Sequence, residues 1–311
     1  MSNKLLKVTN DYVFRRIFGS VGNEDITGDL LEKILNKKYT KIDLSKNPIL
    51  LPDTIENKGG VLDVIINAEE KENINIEMQV LEYEYMAERI LEYWAKKYSE
   101  EFKRGNDYSV AKRTICILIT CFDMKQIKQV DKIHSKWNIR EEEYTKIILT
   151  DKLEFHIINL EKLEKRCEKD QEKELINWCK FIASPQTLEE KVMKENKSIE
   201  KAKEILERIS QDEDERELAY RRERAIRDQN AVRAFGYNRG REEGREQGIK
   251  EGRKEGRKEG RKEGRKEGKI EGIKEEKIEI AKKMLKRKMN IEEIQDITGL
   301  KKVEIENLSI Q

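Results

Sequence analysis

From Glu251 to Lys269 the chain carries no apolar residue, and from Gly240 to Gly272 every fourth residue is a glycine. A folded core needs apolar side chains to bury, so this stretch excludes itself from any core and confines folding to what precedes and follows it. A period of four is not the 3.6 of an α-helix: in a helix the glycine row would turn by about 40° per repeat and could not stay on one face. That argues against a fixed helix-packing seam. Each glycine costs a helix roughly 0.8–1 kcal/mol relative to alanine. The i,i+4 pairs of the Gly-Arg-Lys-Glu repeat are like with like, and the compensating pairs stand at i,i+3, from Glu251 with Lys254 to Glu263 with Lys266. The repeat reads as a water-exposed spacer that is only marginally helical by itself; the alternative is non-specific contact of its basic groups with a nucleic-acid backbone, which the interleaved glutamates weaken.

The remaining apolar residues are unevenly spread. Hydrophobic residues make up 36% of the chain and charged residues 41%, and the former concentrate before about Ser184. The expected organisation is a globular domain over 1–185, a charged helical segment over 186–235, the spacer over 236–277 and a small helical hairpin over 278–311. The thin stripe Val192, Ile199, Ile205, Leu206 and Ile209 fits either a satellite helical pair or an interaction arm. Sixty-five basic residues nearly balance 63 acidic ones, so any contact with phosphate must come from a local patch. Cys116, Cys121, Cys167 and Cys179 show no CxxC spacing, which suits reduced thiols. No run approaches the roughly 20 apolar residues that span a membrane, and the N-terminus lacks the apolar stretch of a signal peptide. Cytoplasmic residence is the expectation.

In the first 185 residues, Phe14, Ile17 and Phe18 recur at helical spacing behind Asn10-Asp11, with Gly19 as the stop. A second helix from about Asp25 to Asn36 gathers Ile26, Leu30, Leu31, Ile34 and Leu35 on one side. Lys41 to Leu51 resembles a strand ended by Pro48 and Pro52, followed by a turn at Lys58-Gly59-Gly60. Tyr85 to Phe102 reads as a long amphipathic helix closed by Gly105-Asn106, its inner face made by Met86, Ile90, Leu91, Trp94, Tyr98 and Phe102. Arg113 to Phe122 is a sheet-interior strand. The runs TKIILT and LEFHIINL predict two more strands, and a charged helix is expected from Glu161 to Phe181. The order of elements is that of an α/β domain. His134 and His156 are far apart in sequence and read as surface or packing residues.

Chemistry concentrates in Gly59 to Glu82. Two apolar runs joined by the charged AEEKEN predict a β-hairpin with carboxylates among apolar neighbours. Asp63 lies inside an otherwise apolar strand, while Glu77 and Gln79, two apart, share a face of theirs. Two carboxylates and an amide meeting across a hairpin would form a hard oxygen site suited to Mg²⁺ or Mn²⁺. Arg89, one turn into the next helix, could face a phosphate. After the spacer, Ile291, Ile294 and Ile297, then Thr298-Gly299-Leu300 and Val303, Ile305 and Leu308, resemble a small helix-turn-helix. Its second helix offers Lys301, Lys302, Glu304 and Glu306, which suits a structural or dimerising tail better than a DNA-reading helix.

The segments NDYVFRRIFG, LDVIINAEEKENINIEMQV, YMAERILEYWAKKYSEEFKRGNDY and RTICILIT, in this order, together resemble the recombination-promoting nuclease and transposase family, a branch of the PD-(D/E)XK nuclease superfamily. The resemblance implies a restriction-endonuclease-like mixed sheet flanked by helices, followed here by the long charged extension. It implies that Asp63 and Glu77 bind Mg²⁺ or Mn²⁺ and that Gln79 occupies the position where the superfamily more often has lysine. It also implies an acidic group from the first helices, for which Asp11 and Glu32 are the candidates. The implied activity is metal-dependent DNA endonuclease cleavage with little sequence specificity, associated with recombination or mobile elements. The partners would be DNA and, through the C-terminal helices, another copy of the chain. The alternative is a non-catalytic DNA-binding or protein-interaction scaffold with a nuclease-like fold.

Overall fold

The computed structural model describes residues 4–47, 64–102, 107–165 and 173–309. Asp63, Cys167, the prolines at 48 and 52, and the turns expected at 58–60 and 105–106 lie outside the described residues. Two compact units result, one over residues 1–228 and one over residues 229–311.

The first unit opens with helices α1 (Asp11–Phe18) and α2 (Glu24–Leu35). Asn10 caps α1, its side chain accepting from the backbone N–H of Tyr12 and Val13, which satisfies donors that the first helical turn leaves open. Gly19 follows α1 where a Cβ would come within 2.9 Å of the Arg15 carbonyl oxygen and 3.3 Å of Val64. Asn36 ends α2 in the left-handed region. Next come strands β1 (Ile42–Asp43), β2 (Val64–Ala68) and β3 (Glu72–Gln79), an antiparallel meander in which Ile66 faces Ile74 and Asn67 faces Asn73. Glu69 and Glu70 turn the β2–β3 hairpin with positive φ. Helix α3 (Met86–Ser99) carries the chain over the sheet to β4 (Arg113–Thr120), parallel to β3. Strand β6 (Leu153–Asn159) lies parallel to β4, and β5 (His134–Trp137) pairs antiparallel with β6 at the edge. The sheet order is β1-β2-β3-β4-β6-β5, a mixed six-stranded sheet flanked by helices.

Alternation along the strands divides the core. Ile74, Ile76 and Met78 of β3, with Ile115, Ile117 and Ile119 of β4, face α1, α2 and α4 (Lys173–Ala183). Cys116, Leu118 and Ile157 face α3 through Met86 and Ile90. Leu91, expected on the inner side of α3, is exposed. TKIILT does not form a strand: its only ladder contact is an isolated bridge between Ile148 and Arg140. Ile147, Ile148 and Leu149 remain exposed, so apolar composition without a neighbouring strand to pair with did not suffice. The strand that does reach the sheet edge, β5, is too polar and short to announce itself. Within the helix expected from Glu161 to Phe181, Leu160–Lys165 form a 3₁₀ helix and the described part of α4 covers Lys173–Ala183.

Helices α5 (Glu190–Glu195) and α6 (Lys197–Gln211) follow. Ile199, Ala202, Ile205, Leu206 and Ile209 of α6 are buried in the same core as Phe14, Phe18 and Trp178. The apolar stripe after residue 185 is thus neither a satellite nor a free arm; it completes the first core. Helix α7 runs from Glu213 to Lys286.

The Gly-Arg-Lys-Glu repeat is helical from end to end, more than its glycines alone predict. No proline follows Pro185, and three of every four repeat residues are good helix formers. In the second unit the end of α7 packs with α8 (Ile291–Thr298) and α9 (Lys302–Ser309) through Ala281, Ile294, Leu300 and Ile305. Asn290 and Glu293 form a capping box at the start of α8, and Gly299 ends it with φ +68°. No helix among the described residues is long and apolar enough to cross a membrane.

Candidate functional site

Strand β3 presents an unusual face. Asn73, Asn75, Glu77 and Gln79 alternate with apolar residues and so point to one side of the sheet, the side covered by α3. Glu77 and Gln79 are 4% and 7% exposed. Asn67 on β2 faces Asn73, and neither polar atom of its buried side chain has a hydrogen-bond partner among the described residues. Buried polar atoms are costly unless satisfied, which makes this polar face a candidate functional site.

The carboxyl ends of parallel strands are where open α/β sheets commonly bind ligands. Here β3, β4 and β6 end side by side: Gln79 registers with Thr120, and Thr120 with Asn159. All three are buried polar residues. Asn159 donates from Nδ2 to Asp123 Oδ1 at 2.8 Å, and Lys162 pairs with Asp123 at 2.9 Å. Gln79 donates from Nε2 to the Leu81 carbonyl at 2.9 Å. Its amide hydrogens are thereby directed along the chain.

Above this face stands Arg89. Its guanidinium lies 4.5 Å from the ring centre of Tyr83 and 5.3 Å from that of Tyr93, and Nε donates to the Tyr93 hydroxyl at 2.8 Å. Burial works against its charge, but Tyr93 and then Glu77 favour it, and the net pKa is raised. Arg89 is therefore a fixed cation in the electrostatic range of Glu77. Arg89 was singled out in sequence; its partner Tyr93, four residues on along the same helix, was not. Tyr83, Thr120 and Asn159 were not singled out either: strand register brings Thr120 and Asn159 to Gln79, and the segment between β3 and α3 brings Tyr83 to Arg89.

The acidic candidates from the first helices have other occupations. Asp11 is ion-paired with Arg222, with Nε 3.1 Å from each carboxylate oxygen, and α1 packs against the opposite side of the sheet from Glu77. Glu32 lies on α2, in that same layer, 3.6 Å from Lys33. Asp63 lies outside the described residues. Among the described residues no three His, Cys, Asp or Glu side chains converge on a metal-sized site. The donors on the β3 face, a carboxylate and side-chain amides, are oxygen ligands of the kind that Mg²⁺ and Mn²⁺ take.

A second polar cluster lies at the amino ends of the same strands. Glu72 accepts from the Tyr39 hydroxyl at 2.6 Å and pairs with Lys37 at 3.0 Å and Arg113 at 3.1 Å. Arg113 also reaches Glu154 at 2.6 Å, as does Lys136 at 2.9 Å. His156 Nε2–H donates to Glu154 at 2.7 Å, leaving Nδ1 to accept from His134 Nε2–H at 2.7 Å. The two histidines thus meet across β5 and β6 rather than serving separately. Burial opposes the Glu154 charge, yet the bonds from His156, Lys136 and Arg113 outweigh it and hold the carboxyl at about 2. Burial, and then the neighbouring His156, push His134 down to about 4. With every member partnered, the cluster joins strand starts and is structural.

No curated protein and no solved structure matches the chain. The model of one family, described as PD-(D/E)XK nuclease family transposase, matches residues 8–234, which include the sheet, its flanking helices and α6. This match covers most of the chain, and the chain belongs to the PD-(D/E)XK nuclease family transposases.

Proposed function

We propose that the chain is a DNA endonuclease that hydrolyses phosphodiester bonds with little sequence preference, in recombination or mobile-element biology. The observation that carries this reading is Glu77, buried on the polar face of β3 near the carboxyl ends of three parallel strands, in the electrostatic range of the fixed Arg89 cation. Asp63 and Glu77 would hold Mg²⁺ or Mn²⁺. When bound, such an ion lowers the pKa of an attacking water and neutralises phosphate charge. Arg89, braced by Tyr83 and Tyr93, would present its guanidinium to a phosphate oxygen. Gln79 has no proton affinity to offer a water; with Nε2 held by Leu81, its Oε1 would accept a hydrogen bond from the attacking water and orient it. This is weaker assistance than a lysine supplies at the same position, and it predicts slow turnover. Exposed Ile297 and Val303 support self-association through the terminal helices.

The test is nicking of supercoiled plasmid by the full chain with Mg²⁺ or Mn²⁺, alongside Asp63→Ala and Glu77→Ala. Both variants are expected to lose activity and metal-binding heat in calorimetry while remaining folded. Nicking that survives both substitutions sinks the site assignment. A wild-type chain that binds no divalent metal favours the scaffold reading instead.

A further inference from the structure

The Gly-Arg-Lys-Glu repeat carries a net positive charge. Residues 250–269 hold ten Lys or Arg and five Glu, an excess of five, whereas the whole chain has an excess of only two. A repeat that served only for reach and solubility would work equally well with balanced tetrads. Helix geometry then sorts the charges. At about 100° per residue, Arg and Lys of one tetrad sit next to each other, with Glu and Gly on the other flank. Each tetrad climbs about 6 Å and turns about 40°, so Arg and Lys form one continuous basic stripe that winds slowly round α7.

The side chains bear this out. Arg257, Lys258, Arg261, Lys262, Arg265 and Lys266 stand round one shallow concavity that includes Gly260, and no carboxylate lines it. The i,i+3 pairs that the sequence suggests, such as Glu255 with Lys258, do not close: among the described residues no carboxylate lies within ion-pair distance of these six cations, although pairs form elsewhere on the helix at Arg239–Glu243 and Glu279–Lys283. The nearby glycines, with open space where a Cβ would stand, add no side chain to fill the concavity.

We propose that the Gly-Arg-Lys-Glu segment of α7 is a docking surface for the phosphate backbone of duplex nucleic acid. No apolar residue occurs from Glu251 to Lys269, so the segment has nothing to insert into a bilayer or an apolar protein groove. Charge alone remains, and duplex DNA, with one phosphate charge per ~1.7 Å of axis, is the polyanion that matches closely spaced cations. Because the stripe turns, a duplex lying against it meets about three tetrads, hence about six cations, before the stripe winds away. Recognition is of backbone, without base reading. The surface stands independently of whether the chain cuts DNA.

The test uses the full chain with chelator present, so that cleavage does not enter, and fluorescence anisotropy with two labelled duplexes of unrelated sequence. Both should bind alike, with log Kd rising against log salt with a slope about 5 units above that of a variant carrying Gln at 257, 258, 261, 262, 265 and 266, since each released counterion contributes about 0.9. Between about 200 mM and about 50 mM salt the affinity of the wild type relative to that variant should therefore rise about 1,000-fold, and the variant's circular dichroism should be unchanged because Gln is a comparable helix former. Neutralising Glu255, Glu259 and Glu263 to Gln should strengthen binding. Equal affinity and slope for wild type and the six-Gln variant would overturn the proposal, as would equally tight binding of poly-glutamate.

Discussion

Asp11, the first residue of α1, is ion-paired with Arg222, 211 positions further along the chain. Both side chains are largely buried, at 14% and 9% exposure. Beside them Glu215 accepts from Tyr12 at 2.7 Å and from Arg16 at 2.6 Å. Removing one partner of such a pair strands the other, so Arg222→Ala should cost about 3 kcal/mol of stability. Urea unfolding of the wild type and variant measures it, and a loss below about 0.5 kcal/mol would show that the pair is incidental.

A chain cut after residue 185 should fail to fold. It would lack Ile199, Ile205, Leu206 and Ile209, which lie at the bottom of the main core, and losing one buried Ile or Leu costs about 2–5 kcal/mol. A chain ending at 234 should keep a cooperative thermal transition. Two equally sharp transitions would contradict this reading.

Arg89→Ala should lower plasmid nicking by about 100-fold, while Arg89→Lys, which keeps charge but not the fork, should recover only part of it. If the role were packing alone, Arg89→Lys would restore activity fully and the loss in Arg89→Ala would follow its thermal stability.

Stability should fall on acidification in two stages. His134 stays neutral in the fold until about 4 but titrates near 6.5 when unfolded, so between those values the unfolded chain binds the extra proton and stability drops with pH. Glu154, at about 2 in the fold and 4.5 when unfolded, contributes stability that is present above 4.5 and lost toward 2. Melting temperature against pH should therefore decline from about 6.5 downward, and His134→Gln should flatten the upper stage. An unchanged profile in that variant would rule out His134 as its source.

Alanine at Gly256, Gly260 and Gly264 should strengthen α7. A Cβ at each meets nothing within 4 Å, so only the helix-propensity gain remains, about 0.8–1 kcal/mol per site. Ellipticity at 222 nm through a thermal ramp reports it, and a fall would mean that the glycines serve a contact.

The sequence by itself determined the parts whose signal is local. The spacing of Phe14, Ile17 and Phe18, the AEEKEN turn between two apolar runs and the buried character of Arg113–Thr120 each depend on near neighbours, and each formed as expected. Placing Glu77 and Gln79 on one face needed only the two-residue period of a strand. Tertiary structure decided whatever depended on distant partners. TKIILT had strand composition but no strand beside it, while the polar His134–Trp137 found β6. His134 met His156, Asp11 was claimed by Arg222, and α6 closed a core whose other walls lie before residue 185. Local propensity is set within a few residues, whereas burial and charge pairing are set by which distant surfaces the chain brings together.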